Sequence, residues 1–138
     1  TEVKAGGTLR LNVPNLADLQ LNEWVSSPNY SIANLSWTLK GAQRVKENVK
    51  GLGVYIYCNS SNKDSDWRCE ADVRFSLLPQ KDGKLPHVTK LSKTRTFDPD
   101  SDSWGFRSFM KWDDVLNPKK GFIREDGGIV VEATIAML

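Results

Sequence analysis

His87, Cys58 and Cys69 are the only histidine and cysteines in the chain, and they are the first residues to test for covalent or acid–base chemistry. A Ser-His-Asp or Cys-His site needs a nucleophile and a base brought together. His87 follows Pro86 in a loop-like segment, and nothing marks Cys58 or Cys69 as activated, so both read as small apolar groups on strands. The adjacent carboxylates Asp113-Asp114 and Glu125-Asp126 fall in turns, where capping accounts for them better than catalysis. One histidine and two cysteines at this spacing are too few for a zinc site. Gly51-Leu52-Gly53 leads into a strand, whereas a phosphate loop leads into a helix. No catalytic residue, metal site, cofactor or small-molecule substrate is assigned. The cysteines could pair across a hairpin in an oxidising compartment; we read them as free thiols in a reducing one. Three Asn-x-Ser triplets, at Asn29, Asn34 and Asn59, point weakly the other way.

The chemistry the sequence does support is recognition. Asp102-Ser103-Trp104-Gly105-Phe106-Arg107-Ser108-Phe109-Met110-Lys111-Trp112 is the densest aromatic run and follows a turn-like Asp98-Pro99-Asp100-Ser101. In an extended chain Trp104 and Phe106 share one side, and Ser103, Gly105 and Arg107 the other. Tryptophan next to glycine, among acidic and hydroxyl residues, suits a backbone that needs a close approach and an apolar pocket with a polar rim. Phe109 and Trp112 read as core. Trp104 reads equally as core or as pocket wall.

Stepping outward, 138 residues with 39% hydrophobic and 26% charged residues describe one ordinary globular domain. It spans 1–138, with an ordered part from about 7 to 137. A net charge of +2 argues against a dedicated nucleic-acid binder, which carries a concentrated basic face. Arg44, Lys46 and Lys50, interrupted by Glu47, read as a solvated loop. No apolar run reaches membrane-spanning length and no signal peptide is visible; the missing initial Met suggests an excised domain.

Period-two alternation marks strands at Thr8–Val13, Leu35–Leu39, Leu52–Cys58, Trp67–Leu78 and Ile129–Met137. The polar segment Asn59 to Asp66 would connect the third and fourth of these as a hairpin. Trp24–Ile32, broken by Pro28, reads as an irregular edge strand. His87–Phe97 reads as an exposed polar strand, and Gly41–Gly51 as a loop. Asp113–Leu116, stopped by Asn117-Pro118, reads as a short helical turn. Seven or eight strands and no long amphipathic helix predict an all-β antiparallel sandwich.

This pattern resembles the TRAF-homology (MATH) domain from about Gly7 to Met137. Asn34-Leu35-Ser36-Trp37, Val54-Tyr55-Ile56-Tyr57-Cys58-Asn59 and Ser65-Asp66-Trp67-Arg68-Cys69 carry part of the likeness. Trp104-Gly105-Phe106 marks the superfamily, and Asn117-Pro118-Lys119-Lys120-Gly121-Phe122-Ile123 looks like the herpesvirus-associated ubiquitin-specific protease branch. The resemblance implies a non-catalytic module of a nuclear or cytoplasmic deubiquitinase that recruits partners through short Pro/Ala-x-x-Ser peptides. Trp104 would wall the pocket for the small Pro or Ala, with Phe106 and Gly105 beside it. Arg44 would donate to peptide backbone or acidic groups. Tyr55 falls at an aromatic position of the neighbouring strand, with a half-buried sheet aromatic the equal alternative. The family's Asp before the Trp is Ser103 here, so Asp102 or Ser103 would accept from the peptide Ser, and Ser108 replaces the family's Asn. Alternatives are a substrate-binding arm of a BTB/cullin ligase adaptor, and an extracellular MATH domain of a secreted metalloprotease.

Overall fold

Alternating apolar residues force each strand to bury one face, and two such faces can satisfy each other only by stacking. The computed structural model describes residues 3–60, 66–91 and 93–138. Its strands are β1 (Ala5–Val13), β2 (Trp24–Ser26), β3 (Tyr30–Ile32), β4 (Leu35–Lys46), β5 (Val49–Ser60), β6 (Cys69–Leu77), β7 (His87–Lys90), β8 (Arg95–Phe97), β9 (Ser103–Lys111) and β10 (Ile129–Met137), with one helix, α1 (Trp112–Leu116), after β9. One sheet runs β1-β10-β6-β7, with β8 also on β6; the other runs β2-β4-β5-β9, with β3 also on β4. All pairings between these strands are antiparallel. The expected sandwich is therefore present.

Its strand number exceeds the expectation because two predicted strands are each split. Trp24–Ile32 divides around Pro28 into β2 and β3, both paired with β4. His87–Phe97 divides into β7 and β8, both paired with β6. That second segment is not uniformly exposed: Phe97 is fully buried and meets Trp37 edge-on at 5.1 Å. Between the sheets lie Leu9 and Leu11 of β1, Leu39 of β4, Ile56 of β5, Phe75 of β6 and Ile135 of β10, each at most 1% exposed. Burying each such side chain contributes about 1.5–3 kcal/mol.

Two expectations fail for identifiable reasons. Gly41–Gly51 is not a loop; β4 runs through to Lys46 and β5 restarts at Val49. Arg44 and Lys46 sit on the wetter sheet face, Gln43 is buried and donates to the Leu19 carbonyl at 2.9 Å, and the glycines sit where neighbours press close, as at Gly41 against Leu11. Nor do Leu52–Cys58 and Trp67–Leu78 form a hairpin. β5 is flanked by β4 and β9, and β6 by β10 and β7, because the chain crosses between sheets there. Most of the connection lies outside the described residues. Alternation fixes which face a strand buries, not which strand it pairs with.

The crossing still brings the two cysteines together. Both are free and share a hydrogen bond. Cys69 as partner, followed by burial, pushes the Cys58 thiol far up, whereas the bond to Cys58 holds the Cys69 thiol below its usual range. Cys58 is buried and Cys69 only partly so, which makes Cys69 the more accessible thiol.

Two hairpins turn through residues that pay a conformational penalty. Ala33 and Asn34 have φ of 51° and 65°, and Glu47 and Asn48 52° and 66°, the positive-φ pairs of a type I′ turn. A left-handed non-glycine residue costs about 1–2 kcal/mol, less for Asn. Replacing Ala33-Asn34 by Asn-Gly should raise stability by about 1 kcal/mol, a melting shift of roughly 3 °C; an unchanged or lower melting temperature would rule out that turn. Iodoacetamide at pH 8 should label Cys69 in the native protein and Cys58 only on unfolding, as read by peptide mass spectrometry. Preferential labelling of Cys58 would contradict this difference in burial.

Candidate functional site

Among the described residues β9 ends its sheet and pairs on one side only, with β5. Asp102 stands just before it, and its carbonyl accepts from the Cys58 backbone N–H at 2.8 Å. Opposite residues in an antiparallel ladder alternate between bonded and non-bonded pairs. Extending the register Tyr57–Ser103, Ile56–Trp104, Tyr55–Gly105, Val54–Phe106 from that bond turns the backbones of Trp104 and Phe106 toward β5. Those of Ser103 and Gly105 face the open side. The edge closes at Phe109, whose carbonyl accepts from His87 Nε2 at 3.0 Å, with the two rings edge-on at 4.8 Å.

The two flanks of this edge differ. Trp104 and Phe106 lie opposite Ile56 and Val54, both core residues, so they face inward. Each is half-buried against the core. Phe106 meets Phe75 edge-on at 5.9 Å. The Trp104 indole donates to the Thr96 carbonyl at 3.2 Å and carries the Arg95 guanidinium 4.4 Å over its ring.

On the outer flank Ser103 stands opposite Tyr57 and Gly105 opposite Tyr55. Gly105 is required by packing: a Cβ there would come 2.1 Å from the Val54 carbonyl oxygen and 2.8 Å from the Tyr55 ring. A Cβ on Gly53 would meet the Arg44 stem at 2.8 Å and the other side of the Tyr55 ring at 3.2 Å. Tyr55 thus lies down over a floor of small residues. Arg44 stacks over this ring at 5.8 Å and over Trp24 at 5.2 Å, and the two rings are 5.4 Å apart.

Beside it, Lys40 sits 4.5 Å above Tyr57. Burial, then the neighbouring Tyr55 and Asp102, push the Tyr57 phenol up, opposed by Arg44 and a hydrogen bond with Ser103. Tyr57, Lys40, Asp102, Thr38, Asn29 and Asn59 line an open depression of about 520 Å³.

The predicted site residues therefore divide between two sides of one edge strand. Ser103, Gly105, Asp102, Tyr55 and Arg44 gather on the outer flank. Trp104 and Phe106 occupy the inner flank, and Arg44 does not share a trough with Trp104. Ser108 lies further along, exposed, beside Lys46 and Lys111 in a second open depression of about 310 Å³. Sequence reasoning missed Lys40, Tyr57 and Trp24. The alternation of Thr38-Leu39-Lys40 and Tyr55-Ile56-Tyr57 could have placed the first two outward; Trp24 reaches Arg44 only through the β2–β4 register.

Residues 9–135 match the family described as MATH domain. Among curated proteins, the chain is 37% identical over 114 residues to BTB and MATH domain-containing protein 38 of Caenorhabditis elegans, covering 80% of this chain and 28% of the relative. It is 24% identical over 119 residues to ubiquitin carboxyl-terminal hydrolase 7 of Drosophila melanogaster, covering 86% and 10%. The chain thus spans well under half the length of these relatives. A solved structure of Notothenia coriiceps TRAF5 shares the fold at TM-score 0.71 and 14% identity, over 96% of this chain and 74% of that one.

Gly105→Ala should destabilise the domain by about 1–3 kcal/mol, the cost of forcing a methyl into filled space. It should also lift Tyr55 from its bed, visible in near-ultraviolet circular dichroism. A neutral Gly105→Ala variant would mean that β9 does not approach β5 this closely.

Proposed function

The chain belongs to the MATH domain family, a non-catalytic protein-interaction domain, and we propose that it binds short linear peptides along the open edge of β9. The observation that carries this reading is the one-sided pairing of β9, which leaves the Ser103 and Gly105 backbone groups for an added strand. Edge addition gives affinity through main-chain hydrogen bonds, and alternate side chains then fall to opposite flanks. One set meets the half-buried Trp104 and Phe106, suited to a small apolar residue such as Pro or Ala. The other meets Tyr57, Ser103 and Asp102, suited to a Ser hydroxyl. Asp102 supplies the carboxylate for which the family's pattern uses the position of Ser103. Few residues are engaged, so a Kd of about 1–100 μM is expected, with tethering to other domains raising effective affinity.

As to the parent protein, the readings are recruitment of substrates or regulators to a nuclear or cytoplasmic ubiquitin-specific protease, and substrate capture by a BTB-linked adaptor. The 37% identity to a BTB and MATH protein supports the adaptor; the Asn117-to-Ile123 pattern supports the protease. A ubiquitin probe with a C-terminal vinyl sulfone separates them, since thiolate addition would label a full-length cysteine protease as a stable thioether and leave an adaptor untouched.

Titrating a Pro-x-x-Ser peptide by calorimetry into the wild type, Trp104→Ala and Phe106→Ala tests the site. Each truncation should weaken binding by about 1–3 kcal/mol, with folding checked by circular dichroism. Unchanged affinity in both folded variants would exclude the β9 edge.

A further inference from the structure

The outer face of the β2-β4-β5-β9 sheet has an unusual charge distribution. Strand alternation and register place Lys40, Arg44, Lys46 and Lys111 on its strands, and Arg107, in the bulge of β9, reaches across to the Val45 carbonyl at 3.5 Å. All are cationic. The nearby carboxylates are Glu47 in the hairpin turn and Asp102 before β9. The chain's net charge is only +2, so this face gathers cations that the rest of the molecule offsets. Ion pairs among the described residues are Arg10–Glu132, Arg68–Glu70 and Arg124–Asp126, and none uses these five. Lys46, Arg107 and Lys111 are exposed. Arg44 is pinned between Trp24 and Tyr55, so less side-chain freedom remains to be lost when it meets an anion.

We propose that this face holds an acidic segment of the bound peptide, made of Asp, Glu or phosphoserine, lying past Arg107 toward Lys46 and Lys111. The proposal rests on the edge-binding reading above. A peptide following β9 toward its C-terminal end must leave the edge where His87 closes it at Phe109. The open depression lined by Lys46, Glu47, Val49, Ser108 and Lys111, two cations to one carboxylate, lies on that side. A short acidic segment covers only the cationic end of the face. A long polyanion such as nucleic acid would also run over Asp102 at the other end of β9, which repels it. Such surface attraction is screened within about 8–10 Å at physiological salt, so the gain is salt-dependent.

Fluorescence anisotropy with a labelled neutral Pro-x-x-Ser peptide, and with the same peptide extended by four Glu at either end, tests this. One of the two extensions should tighten binding about tenfold at 50 mM salt and under about threefold at 500 mM, as screening dictates. Lys46→Glu with Lys111→Glu, both far from the core, should abolish that gain while leaving the neutral peptide's Kd within about twofold, the size of a weak surface effect. No gain from either extension, or a gain untouched by the double reversal, overturns the proposal while neutral-peptide binding leaves edge binding intact. If no peptide binds, both readings fail. If a 20-base-pair duplex binds as tightly as the acidic peptide, the face is a general polyanion surface and the peptide assignment falls.

Discussion

The site depends on a close backbone approach. At Gly105 the β9 strand comes so near β5 that a single methyl would sit 2.1 Å from the Val54 carbonyl oxygen. That approach leaves Tyr55 room to lie across the sheet, and the flattened ring in turn gives Arg44 a surface to stack upon. The same pairing satisfies one side of β9 and leaves the other unsatisfied by any strand. An open strand edge is a hazard unless it is short or guarded. Here it is guarded at one end by His87 on the Phe109 carbonyl. Along the flanks, half-buried aromatics reward only ligands whose side chains fit.

In the proposed site, affinity and selectivity would come from different parts of this arrangement. Backbone pairing at Ser103 and Gly105 is indifferent to ligand sequence. In the binding mode we propose, Trp104 and Phe106 on one side, and Tyr57, Ser103 and Asp102 on the other, read alternate side chains. The indole is held by its bond to Thr96 and by Arg95 above it, so its exposed part is a fixed wall rather than a mobile one. Each contribution is small, which suits a module that must release its partners.

Much of this was legible in the sequence. The alternation of Ala71, Val73, Phe75 and Leu77, and of Ile129, Val131, Ala133 and Ile135, gave the buried faces of β6 and β10 directly. The aromatic run at Trp104 to Trp112 identified an unusual strand, with Trp104 and Phe106 on one side of it. What failed was pairing. Nothing local states that β5 lies beside β9, that β6 sits in the other sheet, or that Trp24 stacks on Arg44. These follow from chain crossings and register. The polar run from Gly41 to Gly51 misled because wet strands and loops share composition, and only the paired backbone separates them. Nor does anything local state that Arg44 and Trp104 lie on opposite faces of one sheet, which only the register shows.

The central claim is that a ligand pairs with the open side of β9. Amide hydrogen exchange, followed by NMR on the labelled domain with and without saturating Pro-x-x-Ser peptide, tests this directly. Slowed exchange at the Ser103 and Gly105 amides, with those of Trp104 and Phe106 already protected in the free protein, is the predicted result. Unchanged exchange at Ser103 and Gly105, with new protection on β1 or β7, would place the ligand elsewhere and contradict the account.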